Sequence, residues 1–207
     1  MTPRFWAAFF VLAIVAATAQ VKQLAPGKFM VASRDLGDPN FAQSVILLMR
    51  YDDEQGAMGL IINRRSDVPV SRLLADLKEA KHRADLVYLG GPVELSSVLA
   101  LLRSASKPND SERVFGDVFL ISSKALLQKT LLTKVDTEQF HVYVGYAGWG
   151  PGQLEHEVDL GAWHILSADA AEVFHSDPET VWPRLIRRTQ LQIASTKPGG
   201  SRRSCRH

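Results

Sequence analysis

Between Ser44 and Arg50 the chain reads Val45-Ile46-Leu47-Leu48-Met49 without a polar break. A short, continuous apolar run bounded by turn residues marks a strand buried on both faces. Asp52-Asp53-Glu54-Gln55-Gly56 follows as a polar turn and Ala57–Asn63 as the next strand. Together they predict a hairpin with a loop of about five residues.

The remaining elements fall around this hairpin. Lys28–Ser33, Asp85–Leu89, Ser97–Leu102, Val118–Ile121, Phe140–Val144 and Ala162–Leu166 read as strands. Val70, Leu73, Leu74 and Leu77 form a helical stripe that predicts a helix over Val70–Ala80, with Ser71 or Asp67 helping to cap it. Ser122 or Ser123 opens a helix to about Leu132, and Gly152–Asp159 a short one. Asp169 caps a brief helix to Phe174, and Asp177-Pro178 starts a last helix ending near Arg188. Strands that pair at short range, with helices irregularly between them, predict α+β rather than a doubly wound parallel sheet.

At 207 residues, 46% of them hydrophobic, the chain suits one globular domain able to bury its own core. The lone Cys205 excludes an internal disulfide and a multi-cysteine zinc site. The net charge of +2 is unevenly placed: from Arg184 onward there are seven basic residues and no acidic one, so the body before it carries 17 Lys+Arg against 22 Asp+Glu. A nucleic-acid-binding body carries a basic face, and this one is mildly acidic, so direct DNA binding is not expected. At the other end, Arg4, the apolar run Phe5–Ala17 and Ala17-Thr18-Ala19 have the layout of a secretory leader cut after Ala19. The run is shorter than the ~20 apolar residues a membrane span needs. Residues 1–19 are thus read as a leader, 20–194 as the domain and 195–207 as a disordered basic tail. The mature chain is then exported or periplasmic with no integral span, the alternative being cytoplasmic.

Familiar catalytic and cofactor motifs are missing. There is no nucleophile elbow, phosphate loop or dinucleotide fingerprint. His156-Glu157 begins like a zinc-helix motif, but position 160 is Leu, and His82, His141, His164, His175 and His207 have no metal spacing. No cofactor is expected. Glu155 and Glu157 are a carboxylate pair near a glycine-rich turn; on a helix, i and i+2 point to different faces and cannot jointly grip one atom.

That turn, Gly145-Tyr146-Ala147-Gly148-Trp149-Gly150-Pro151-Gly152-Gln153-Leu154-Glu155, is the most site-like segment. Its glycines allow positive φ or close backbone approach, and a helix start beyond it favours an anion. A purely structural corner, with Trp149 plugging the core, fits the same residues.

The string resembles the hallmark of the AlgH/YqgE family of bacterial proteins. The likeness runs from about Gly27 to Gln190 and includes Gly27-Lys28-Phe29, Phe41 with Ser44-Val45-Ile46, Gly56–Arg64 and Gly90-Gly91-Pro92-Val93. The chain departs from the family pattern at Arg65, where a Pro is usual, at Arg50-Tyr51, where Glu-His is common, and in its leader. The resemblance implies a single α+β domain built on a coiled, barrel-like mixed or antiparallel sheet with peripheral helices. It implies no established activity; members carry a transcriptional-regulator label from a link to alginate control. The expected function is a non-catalytic binding or regulatory module for a small molecule or protein. Its surface would comprise Asn63, Arg64, Gly90, Gly91, Pro92, Tyr146, Gly148, Trp149, Gly152, Gln153 and Glu155. The alternatives are a transcription regulator acting through a protein partner and an enzyme using Glu155 or Glu157 as base.

Overall fold

The computed structural model describes residues 23–196 apart from 134 and 176, so the leader reading of residues 1–19 lies outside the described residues. The apolar run forms β2 (Val45–Asp52), buried from Val45 to Met49, between β1 (Lys28–Ala32) and β3 (Gly56–Ile61) in an antiparallel meander. The β2–β3 turn is closed by Asp52, whose Oδ1 accepts from the backbone N–H groups of Glu54 and Gln55 at 2.9 Å. Beyond it come β4 (Arg65–Pro69), α1 (Val70–Leu73), β5 (Leu86–Leu89), β6 (Val93–Arg103), β7 (Glu112–Phe115), β8 (Val118–Ile121) and α2 (Lys124–Leu132). The described residues end with β9 (Phe140–Trp149), α3 (Gln153–Asp159), β10 (Trp163–Ser167), α4 (Ala170–Val173) and α5 (Val181–Thr196).

Among the described residues ten strands join one sheet, in the order β10-β1-β2-β3-β9-β6-β8-β7, with β5 attached beside β9 and β4 beside β5. Every pairing is antiparallel except β5 with β9. The sheet curls into a half-barrel. Its far strand β7 comes back to the β1–β2 side, where Glu112 pairs with Arg50 at 2.5 Å and the side chain of Phe115 closes on Gly27. One apolar core fills the curl and the layer under α3, α4 and α5. A second, built from Val70, Leu77, Leu127, Phe140 and their neighbours, seals α1 and α2 against β6, β8 and β9. The α+β class agrees with the reading of strands and helices, and the curled sheet with peripheral helices agrees with what the family resemblance implies.

Several boundaries differ. The segment Gly145–Glu155 is not a turn throughout: β9 runs on to Trp149, and only residues 150–152 turn. The helix expected over Val70–Ala80 is broken into α1 and a separate 3-10 turn, Lys78–Ala80. Its start is not capped by Ser71 or Asp67; Pro69 holds the cap position, and the N–H groups of Val70 and Ser71 donate to the carbonyls of Asp85 and Arg83. The apolar stripe was a sound burial signal, since Val70, Leu74 and Leu77 are buried, but tertiary backbone bonds replaced the helix ladder. Ser123 and Asp169 cap α2 and α4 as read. The last helix continues past Arg188 to Thr196.

Candidate functional site

Long strand β9 carries the glycine-rich string, and alternation along it sorts the residues. Tyr143, Gly145, Ala147 and Trp149 are buried, and Val144, Tyr146 and Gly148 between them are half-buried. Midway along, one edge of β9 changes partner, from β5 at Tyr143 and Val144 to β3 at Ala147 through Trp149. The Gly90-Gly91 backbone fills the gap: Gly90 N–H donates to Val144 O and Gly90 O accepts from Ile61 N–H, each at 2.8 Å. A Cβ on Gly90 would strike Gly145 O, one on Gly91 the Tyr146–Ala147 peptide, and one on Gly145 the Gly91 carbonyl. These glycines are therefore consumed by a three-way backbone junction.

The far end of the string is also largely structural. Gly152 is left-handed (φ 73) and begins α3. Gln153 accepts from Gly150 N–H through Oε1 and donates through Nε2 to Glu157. Glu157 Oε2 takes hydrogen bonds from the indoles of Trp149 (2.9 Å) and Trp163 (2.8 Å). Glu155 accepts from the Tyr51 hydroxyl at 2.6 Å, and burial together with that bond pushes the Tyr51 phenol up to about 12. Each carboxylate thus already serves a protein donor, which is poor preparation for a general base.

Asn63 and Arg64 turn the other way. Asn63 Oδ1 accepts from Val45 N–H (2.7 Å) and its amide donates to Gln43 O; Arg64 donates to Asn40 O at 2.6 Å. Both fasten the β1–β2 loop, whose Phe41 stacks on Trp149 with ring centroids 6.0 Å apart. Burial lowers the Arg64 guanidinium's pKa, with Asp38 opposing. Arg64 touches Trp149 through this loop, not by sharing a concavity with it.

A groove of about 660 Å³ opens over β2, β3 and β9. Paired positions carry Arg50, Met58 and Gly148 across β2, β3 and β9, and Tyr146 pairs with Val93 on β6. Tyr51, Gln55 and Trp149 also contribute to the lining. The Tyr146 ring lies 3.3 Å from where a Gly148 Cβ would be, so the absent side chain lets the ring lie down on the sheet. Burial and the neighbouring Glu94 raise the Tyr146 phenol's pKa. Of the expected site residues the groove collects Tyr146, Gly148 and Trp149; it does not collect Asn63, Arg64, Gly90, Gly91, Pro92, Gly152, Gln153 or Glu155. Arg50, Tyr51 and Met58 were missed because only strand pairing brings them beside β9. Among the described residues no His, Cys, Asp and Glu group has metal-binding geometry, and no helix is long and apolar enough to cross a membrane.

A protein-family model described as AlgH-like matches residues 29–194. A UPF0301 protein of Streptomyces avermitilis is 35% identical over 177 residues, spanning 81% of this chain and 88% of its own. One from Anaeromyxobacter dehalogenans is 34% identical, spanning 86% and 93%. The solution structure of the AlgH protein from Pseudomonas aeruginosa superposes with a TM-score of 0.67 at 30% identity, covering 85% of this chain and 95% of that one. A crystal structure of a Corynebacterium diphtheriae protein reaches 0.65 at 26% identity, covering 80% and 87%.

Proposed function

The chain belongs to the AlgH-like family, and on that premise we propose that it is a non-catalytic binding or regulatory module whose recognition surface is the groove beside β9. The observation that carries this reading is a division of labour within the glycine-rich string. Gly145, Ala147, Gln153 and Leu154 are taken up by the backbone junction, the core and the α3 corner. Tyr146 and Gly148 face a groove whose other walls are Met58, Val93 and Arg50. An apolar floor with the rings of Tyr51, Tyr146 and Trp149, and at its rim an Arg50 already paired with Glu112, suits a small molecule or an extended protein segment bearing a flat apolar group. Asn63, Arg64 and the Gly90–Pro92 turn support this surface from behind rather than touching the ligand. A regulator of transcription acting through a protein partner would use the same groove.

Capture of partners by tagged wild-type protein, compared with Tyr146→Ala and Arg50→Ala, tests the reading. The cells are fractionated first, because a leader at residues 1–19 would place the mature chain in an exported compartment and its absence in the cytoplasm. Both variants are expected to melt within a few degrees of wild type and to lose the same partner or ligand. Identical capture by all three proteins removes the groove as the recognition surface.

A further inference from the structure

Strand β6 leaves its partner at the edge of the groove. It pairs with β9 at Val93–Tyr146 and resumes only at Val98–Val144, so residues 94–97 bulge out opposite Gly145 alone. Glu94 opens the bulge in the left-handed region (φ 47) although it carries a side chain. That conformation costs energy, and a bulge re-aims the side chains it holds. The Glu94 carboxylate comes to lie beside the Tyr146 phenol, whose pKa is raised by burial and then by that charge. Leu95 next to it is 64% exposed. The Tyr146 ring rests on Gly148 and is only half-buried, so it presents an aromatic surface to the groove.

The other end of the groove is acidic too. Asp52 lines it, and Asp53 follows in the β2–β3 turn. Burial, the bond to Glu155 and the charges of Asp53 and Asp52 together push the Tyr51 phenol up to about 12. Arg50 is the cation of the lining, and Glu112 already holds it through bonds of 2.5, 3.1 and 3.2 Å. None of the ion pairs of Arg50, Arg83, Arg103, Lys124 and Arg184 uses Asp52, Asp53 or Glu94. An aromatic and apolar floor thus lies between two sets of carboxylates whose charges these pairs leave unmatched. Asp52 is on β2 and Glu94 on β6, with β3 and β9 between them, roughly 14 Å along the sheet. One small cation cannot meet both ends, whereas about five extended residues span them. On the reading that the groove is the recognition surface, we infer that it docks an extended, basic protein segment. One Lys or Arg side chain lies on the Tyr146 ring beside Glu94, and a second reaches Asp52 and Asp53.

Random peptides of about twelve residues, displayed on phage, are selected on the full chain, and those recovered are titrated into it. They are expected to carry at least two Lys or Arg residues. Tyr146→Ala should weaken them about tenfold, and Glu94→Gln, at an exposed position, about fivefold. Neutral or acidic peptides that Tyr146→Ala still releases would keep the groove as the recognition surface and overturn its basic partner. Basic peptides that bind Glu94→Gln as tightly as wild type, or a selection that recovers no peptide, also overturn the inference. Peptides indifferent to Tyr146→Ala overturn the groove reading along with it. Displacement by N-acetyl-lysine methylamide at the peptides' own concentration would give the groove to a small organic cation. A tenfold gain in affinity on replacing Arg202, Arg203 and Arg206 with Ala would give it to the chain's own basic tail. Either result overturns a separate protein partner.

Discussion

Glu157 shows how one residue can look catalytic in a sequence and be architectural in a fold. Its oxygens accept from the indoles of Trp149 and Trp163 and from the Gln153 amide, tying the end of β9 to α3 and to the start of β10. Glu157→Leu would keep the side chain's bulk and leave both buried indole N–H groups without an acceptor. Each unpaired group costs about 1–3 kcal/mol, so urea unfolding should register a loss of about 3 kcal/mol. Glu157→Gln, whose one oxygen can still accept from both indoles and which loses only the acceptor for Gln153 Nε2, should lose about 1 kcal/mol. Equal small losses from both would mean that the indoles find water instead. The two carboxylates of the string thus face different donors, Tyr51 for Glu155 and two tryptophans for Glu157. This agrees with the i, i+2 argument that they could not share one atom.

At the scale of elements, the β1–β2 loop is the piece whose order rests on few contacts. Asn63 and Arg64 hold it by bonds to Val45, Gln43 and Asn40, and Phe41 then covers Trp149 and meets Trp163 edge-on at 5.8 Å. Asn63→Ala removes the acceptor for Val45 N–H and should cost about 1–2 kcal/mol. Backbone amides over residues 38–43 should exchange at least tenfold faster, while those of β8 stay as in wild type; unchanged exchange in the loop would show that Phe41 alone anchors it. Sequence legibility divides along the same line. Strands buried on both faces, β2 and β8, announced themselves as unbroken apolar runs, and short polar caps such as Ser123 and Asp169 were readable because they act locally. β4, with Arg65, Ser66 and Asp67, and the four-residue β7 carry no such run and were not foreseen. They are strands only because β5 and β8 offer them backbone partners. The candidate site was half legible for a related reason. The string could be located by its glycines, but Arg50, Tyr51 and Met58 join it through pairings that no local pattern encodes, and Asn63 and Arg64 leave it through bonds that none forbids.

For the molecule as a whole, buried His141 on β9 and half-buried His164 on β10 shape how stability follows pH. Burial lowers the pKa of His141 to about 4 and lowers that of His164 as well; at His141, Asp85 pulls in the opposite direction and Arg65 reinforces the shift. An unfolded histidine titrates near 6.5, so between that value and about 4 the unfolded chain binds protons that the folded chain refuses. Stability supplied by keeping His141 neutral is therefore complete above pH 6.5 and is lost as pH falls toward 4. At about 1.4 kcal/mol per unit the full swing is about 3 kcal/mol, a large share of the 5–15 kcal/mol typical of a domain. Carboxylates titrate over part of the same range, so the wild-type slope alone does not isolate the imidazole. The difference between wild type and His141→Phe does, because a phenyl ring can occupy the same place between Tyr88 and Phe174 with no proton to gain. Urea unfolding from pH 7.5 to 4.5 should show wild type losing stability faster than the variant, by about 2 kcal/mol over the interval. Parallel curves would mean that His141 gains an acidic partner when protonated, with Asp85 the nearest carboxylate able to supply it.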